Sequence, residues 1–192
     1  PEDPTPWAHM IHVRMCGLGG DVNLGLGLFG EVTQRDPLHR SGHMQLIAGL
    51  AHKWSGAGHE PMFQFARKAV AKAPEGSDVA MTIAMAHLER WVWDSLFEED
   101  EAAAEVYVQD SKNQAEVIAA YDKSLGSPKH QPRRSTVHFR NWAAMWFFLT
   151  KDRERLSREL AHLGNAYTVK PWCYYDDEEH AFAAAQDFAQ IR

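Results

Sequence analysis

Cysteine is scarce in this chain of 192 residues, with only Cys16 and Cys173. Two cysteines make no disulfide scaffold, and so low a usage suits a reducing compartment. Long apolar runs are missing too. No apolar stretch reaches the roughly 18 residues that a transmembrane helix needs, so a transmembrane helix is not expected. Positive charge is in deficit, with Lys+Arg 20 against Asp+Glu 26 and a net charge of −6. That balance argues against a nucleic-acid binder working by phosphate neutralisation. Strand signals are thin. Ile11–Met15 and Glu105–Gln109 are short candidates, and neither has a partner with hairpin chemistry. The start, Pro1-Glu2-Asp3-Pro4, has neither an initiator Met nor a secretory pattern, and the chain stops at Arg192 after a helix-like segment. These ends read as a piece of a longer or trimmed protein, and the chain is expected to be cytoplasmic.

What remains is ordinary globular composition, 45% hydrophobic and 24% charged, arranged with helical periodicity. Over 59–73, Met62, Phe63, Ala66, Ala69, Val70 and Ala73 recur at 3- and 4-residue steps, opposite Gln64, Arg67, Lys68 and Lys72. Pro61 suits a first helical turn, and Pro74 and Gly76 end the segment. Ser77 or Asp78 can cap a helix running to about Leu96, with Ile83, His87, Leu88 and Trp91 on one stripe. The same pattern predicts helices over 113–125, 135–149, 152–163 and 178–190, with Gly164 as a C-terminal stop. The fold class is all-α.

Internal periodicity goes further. Ala8-His9-Met10 and Gly42-His43-Met44 lie 34 residues apart, Cys16 falls on Leu50 in the same register, and a methionine returns at Met81. The first two units each close on a proline, Pro37 and Pro74, and break at glycines, Gly17–Gly20 and Ser55–Gly58. A helix–turn–helix unit of about 34 residues is the tetratricopeptide period, and the chain resembles that family. Gly25, Phe29 and Pro37 stand where the family has a small residue, an aromatic and the closing proline, whereas His9 replaces the expected tryptophan. The second unit carries a three-residue insertion around Lys53-Trp54-Ser55-Gly56, and the acidic stretch Phe97–Lys112 interrupts the third. The Lys53–Gly56 turn followed by Phe65-Ala66-Arg67 is also similar to an uncharacterised bacterial group of tetratricopeptide-like proteins. The resemblance implies one domain over 1–192, a tetratricopeptide-like α-α superhelix. Its units are 5–37, 38–74, 77–126 and 133–164, with a C-terminal helix over 178–191. It brings architecture and no activity.

Such a stack shares one core between neighbours and leaves a concave surface that repeat proteins commonly use to hold a peptide or partner. The expected function is therefore a protein-interaction scaffold, with Trp54, Trp91, Arg140 and Trp142 as contact candidates. No catalytic residue, cofactor, membrane or nucleic-acid role is assigned. Gly25-Leu26-Gly27-Leu28-Phe29-Gly30 matches a dinucleotide-binding string, but no βαβ context surrounds it. Its plainer explanation is close helix approach at small residues. His9 with His12, and His39 with His43, have spacings that can chelate a metal on one helix face. A metal-binding or hydrolytic helical domain using these four is the alternative from another class. The plainer reading packs His9 and His43 in the interior and leaves His39 exposed. Cys16 reads as buried, and Cys173, in an aromatic-rich loop, lacks a catalytic companion motif. Trp142, Trp146, Phe147 and Phe148 make 135–149 apolar over much of its girth, the mark of a central helix or of a self-association surface. The acidic runs Glu98–Glu101 and Asp176–Glu179 read as solvated loops or as helix N-termini, where negative charge is favourable. The basic loop Lys129–Arg134, with Arg153, Arg155 and Arg158, reads as solvated surface.

Overall fold

Aspartates start many of the helices. In the computed structural model, which describes residues 2–17 and 21–190, with backbone only at 15–17, Asp21 accepts the backbone N–H of Asn23 and Leu24 at the head of α2 (Val22–Arg35). α1 (Thr5–Gly17) precedes it. His39 caps α3 (Arg40–Leu50), and Gly56, in the left-handed region at φ 64°, ends the one-turn α4 (His52–Ser55). Pro61 lies in the first turn of α5 (Glu60–Lys72). Ser77 opens a 3-10 turn, Asp78–Met81, that runs into α6 (Thr82–Val92) and a π turn, Trp93–Phe97. Asp100 caps α7 (Glu101–Gln109), Asp110 caps α8 (Ser111–Lys123), and Asp152 caps α10 (Arg153–Leu163). Between them lies α9 (Thr136–Leu149); the one-turn α11 (Val169–Trp172) and α12 (Glu178–Gln190) complete the chain. Each such cap satisfies an N–H that the first helical turn leaves without a partner.

Among the described residues there is no strand. Both short strand candidates are helical, Ile11–Met15 within α1 and Glu105–Gln109 as the end of α7. The acidic stretch that interrupts the third unit builds α7, and of the two readings of Glu98–Glu101 the helix start holds: Asp100 and Glu101 meet the partial positive charge of a helix N-terminus. The second acidic run behaves alike, with Asp177 accepting the N–H of His180.

α1 packs on α2 and α3, α3 on α5 and α6, α6 on α8 and α9, and α9 on α10, which in turn meets α12. α9 is the central element. Every residue from Phe139 to Phe147 is buried, with Trp146 and Phe147 wholly so. The apolar girth read from its sequence is thus spent on neighbours on several sides.

Buried charges cross-link the helices. Asp78 accepts from Arg40 Nε of α3, His130 Nε2 and Thr136 Oγ1 of α9. Glu159 of α10 takes Arg140 Nη1 of α9 at 2.8 Å and the Tyr121 hydroxyl of α8 at 2.7 Å. A buried ion pair is a weak source of stability but a strong determinant of register, since removing one partner strands a charge. No helix among the described residues is long and apolar enough to cross a membrane.

Of the glycine string, all of it inside α2, only Gly25 fits the close-approach explanation: a Cβ there would touch Leu46 at 3.4 Å. Gly27 and Gly30 face open space. The tight helix contact is elsewhere, at Gly42 of α3, where a Cβ would come within 2.7 Å of Val32 Cγ1.

Candidate functional site

Four helices turn the same kind of face toward one cleft. His12 comes from α1, Met44 and Ala48 from α3, Met85 and Glu89 from α6, and His138 and Trp142 from α9. Three of these helices contribute an i, i+4 pair, the spacing that stacks two side chains on one helix face. Gln45 and the segment Tyr167–Lys170 complete the lining of a cleft of about 600 Å³. That volume is ample for several side chains of a ligand.

The floor is polar and nearly dry. Glu89 is 3% exposed. Its Oε1 accepts the Tyr174 hydroxyl at 2.6 Å, and its Oε2 lies 2.7 Å from Lys53 Nζ, an ion pair rather than a well-directed hydrogen bond. The same ammonium donates to the Tyr174 oxygen at 3.4 Å and sits 4.6 Å from the centre of its ring. Burial, then the charge of Glu89 and the hydrogen bond to it, push the Tyr174 phenol far above the ordinary tyrosine range. Tyr174 is therefore held as a neutral phenol that donates to Glu89. Burial also raises the neighbouring Cys173 thiol, the opposite of the shift that makes a cysteine nucleophilic. Beside this cluster, Trp142 is 2% exposed and its Nε1–H is buried with no acceptor. Trp172 differs: its Nε1–H donates to Asn141 Oδ1 at 2.7 Å. Exposed His12, His138 and Lys170 stand on the lining, and His12 Nδ1 is 3.0 Å from Gln45 Oε1. The cleft thus offers methionine walls with polar groups among them.

The residues singled out from the sequence scatter. Trp142 lines the cleft. Trp54 is 44% exposed on α4 and Trp91 is half-buried, 6.0 Å from the Tyr175 ring; neither lines it. Arg140 is buried and its guanidinium is committed to Glu159. His9 is exposed, not packed in the interior as expected, because the buried stripe of α1 runs through Ala8 and Ile11. His43 is buried as expected. His39 is half-buried, and it is the cap of α3 rather than a residue on its face: its Nδ1 accepts the Gly42 N–H at 3.1 Å, while His43 Nδ1 bonds the His39 carbonyl. Among the described residues no three His, Cys, Asp or Glu side chains gather as a metal-holding group. The Cys16 side chain lies outside the described residues. Met44 is noted in the sequence only for the 34-residue echo, and Ala48, Met85 and Glu89 carry no site reading there, although the i, i+4 spacing of the two pairs is visible. Tyr174 and Lys53, which meet across more than a hundred residues of chain, carry no local signal.

Comparison with family models, with curated proteins and with solved structures finds no match to the chain.

Proposed function

We propose that this chain is a helical-repeat interaction domain of tetratricopeptide-like architecture that holds an extended peptide segment of a protein partner in the cleft of α1, α3, α6 and α9. The pairings α1–α2, α3–α5, α6–α8 and α9–α10 support this reading, since each follows one of the four sequence units. The observation that carries it is the lining: the first helix of every pair contributes to a single cleft.

The test is selection of displayed random peptides on the intact chain, with Ala48→Arg as the blocked control. Ala48 is half-exposed on the cleft wall, so arginine fills the space without entering the core. Peptides that bind the parent and lose at least about tenfold in affinity on Ala48→Arg, at an unchanged thermal midpoint, support the reading. Peptides that bind both forms equally, or a selection that enriches nothing, overturn it.

A further inference from the structure

A second apolar recess lies away from the cleft, between α2 and α5, which both rest on α3. Leu26, Phe29 and Leu38 form one wall and Phe65 the other, with Phe29 and Phe65 edge-on at 4.9 Å. Leu26 and Leu38 are 44% and 36% exposed, so the apolar lining opens to solvent. Exposed Lys68 and Lys72 stand on the rim, with no ion-pair partner among the described residues. At about 280 Å³ the recess suits one or two side chains rather than a drug-sized ligand. Its chemistry calls for an aromatic or aliphatic anchor followed by negative charge.

The chain itself displays such a segment. Leu96 and Phe97 are 52% and 53% exposed at the end of the π turn. Phe97 is held outward by stacking flat on Trp93, with ring centroids 5.1 Å apart. Glu98, Glu99, Asp100 and Glu101 follow, all exposed, and Glu99 turns the backbone through the left-handed region at φ 54°. In the folded chain this segment does not line its own recess. Trp93 sits 6.0 Å from His59 at the start of α5, whereas Lys68 lies about 13 Å further along that helix.

We propose that the recess between α2 and α5 is a self-association socket that takes Leu96–Phe97 of a second copy of this chain, with Lys68 and Lys72 meeting the acidic run that follows. The contact is independent of the cleft and of what the cleft binds. A buried aromatic anchor in a preformed pocket, ringed by opposite charge, is the usual composition of an interface hot spot. Plug and socket are different surfaces, so the contact is heterologous: it closes into a dimer only if two copies exchange plugs, and otherwise grows into rings or chains.

Sedimentation velocity on the intact chain, from micromolar to about millimolar concentration, tests this. The expected result is a mass that rises with concentration and falls at high salt. Phe97→Ala removes the plug and the double change Lys68→Glu, Lys72→Glu reverses the socket. Each variant alone is expected to weaken association at least about tenfold, at an unchanged circular dichroism spectrum. Leu96→Ser is the second plug variant should Phe97→Ala disturb Trp93. An equimolar mixture of a plug variant and the socket variant is expected to form a 1:1 dimer through the one intact plug–socket pair, and nothing larger. A monomer at every concentration overturns the proposal, as does association that survives both variants or a mixture that forms no dimer.

Discussion

His87 illustrates how much one side chain's surroundings decide. It is buried, with Nε2 3.0 Å from Glu116 and Nδ1 2.7 Å from the Tyr107 hydroxyl. Burial lowers its pKa more than Glu116 raises it, so the ring is neutral at pH 7, donating to Glu116 through Nε2 and accepting from Tyr107 at Nδ1. The cation of the cluster is Arg67, 2.8 Å from Glu116. The His87 hydrogen bond first, and that of Arg67 after it, hold the Glu116 carboxyl down at about 2, against a model-peptide value of 4.5. A carboxyl depressed on folding stabilises the protein fully above its unfolded pKa and loses that contribution as pH falls through the folded one. Glu116→Gln is therefore expected to cost about 1 kcal/mol near pH 7, discounted for the partial exposure of the pair. The cost should shrink between pH 4.5 and about 2, as read by urea denaturation across that range. A cost that is flat with pH would refute the assignment. His39 and His43 show the opposite face of local context. Their spacing is legible as a chelating pair, but the cap position of His39, which puts it off the helix, depends on where α3 begins.

At the scale of the element, periodicity makes the long helices visible. Amphipathic α5 and α10 and apolar α9 all fall within a residue or two of where the sequence puts them. Short apolar runs such as Ile11–Met15 are ambiguous between helix and strand until their neighbours are known. α7 was hidden because its acidic start reads equally well as a loop. The glycines of α2 and α3 separate two roles that sequence alone merges. Gly42 is a contact, so Gly42→Ala should destabilise by about 1–3 kcal/mol through overpacking against Val32. Gly27 touches nothing in a helix interior. Gly27→Ala should therefore stabilise by roughly 0.5–1 kcal/mol, the difference in helix cost between the two residues. Thermal melts of the two variants check both signs, and equal shifts would mean that the α2–α3 approach is looser than described.

Across the whole molecule, contacts run mainly between neighbouring helices, with α9 linking the α6 side to α10, α11 and α12. A local loss is therefore expected to be felt chiefly by the elements that touch it. Trp146→Ala in α9, a wholly buried site, should cost about 3–5 kcal/mol. By hydrogen exchange it should expose the amides of α10 and α12 well before those of α1 and α2. Simultaneous exposure of all of them would mean a single cooperative unit. The all-α class was legible, because helical period fills most of the sequence. The cleft was only partly so. Trp142 was singled out as an aromatic, but its position beside Glu89, Lys53 and Tyr174 comes from segments brought together by the packing of α4, α6 and α9 with the loop after α11. The place of Trp142 on the cleft has an optical consequence. An indole's emission shifts with the polarity around it, so a group that settles against Trp142 would change the emission of a chromophore otherwise shielded from water. Binding at the cleft, as proposed above, is therefore expected to be readable in unlabelled protein as the difference in fluorescence between the parent and Trp142→Phe.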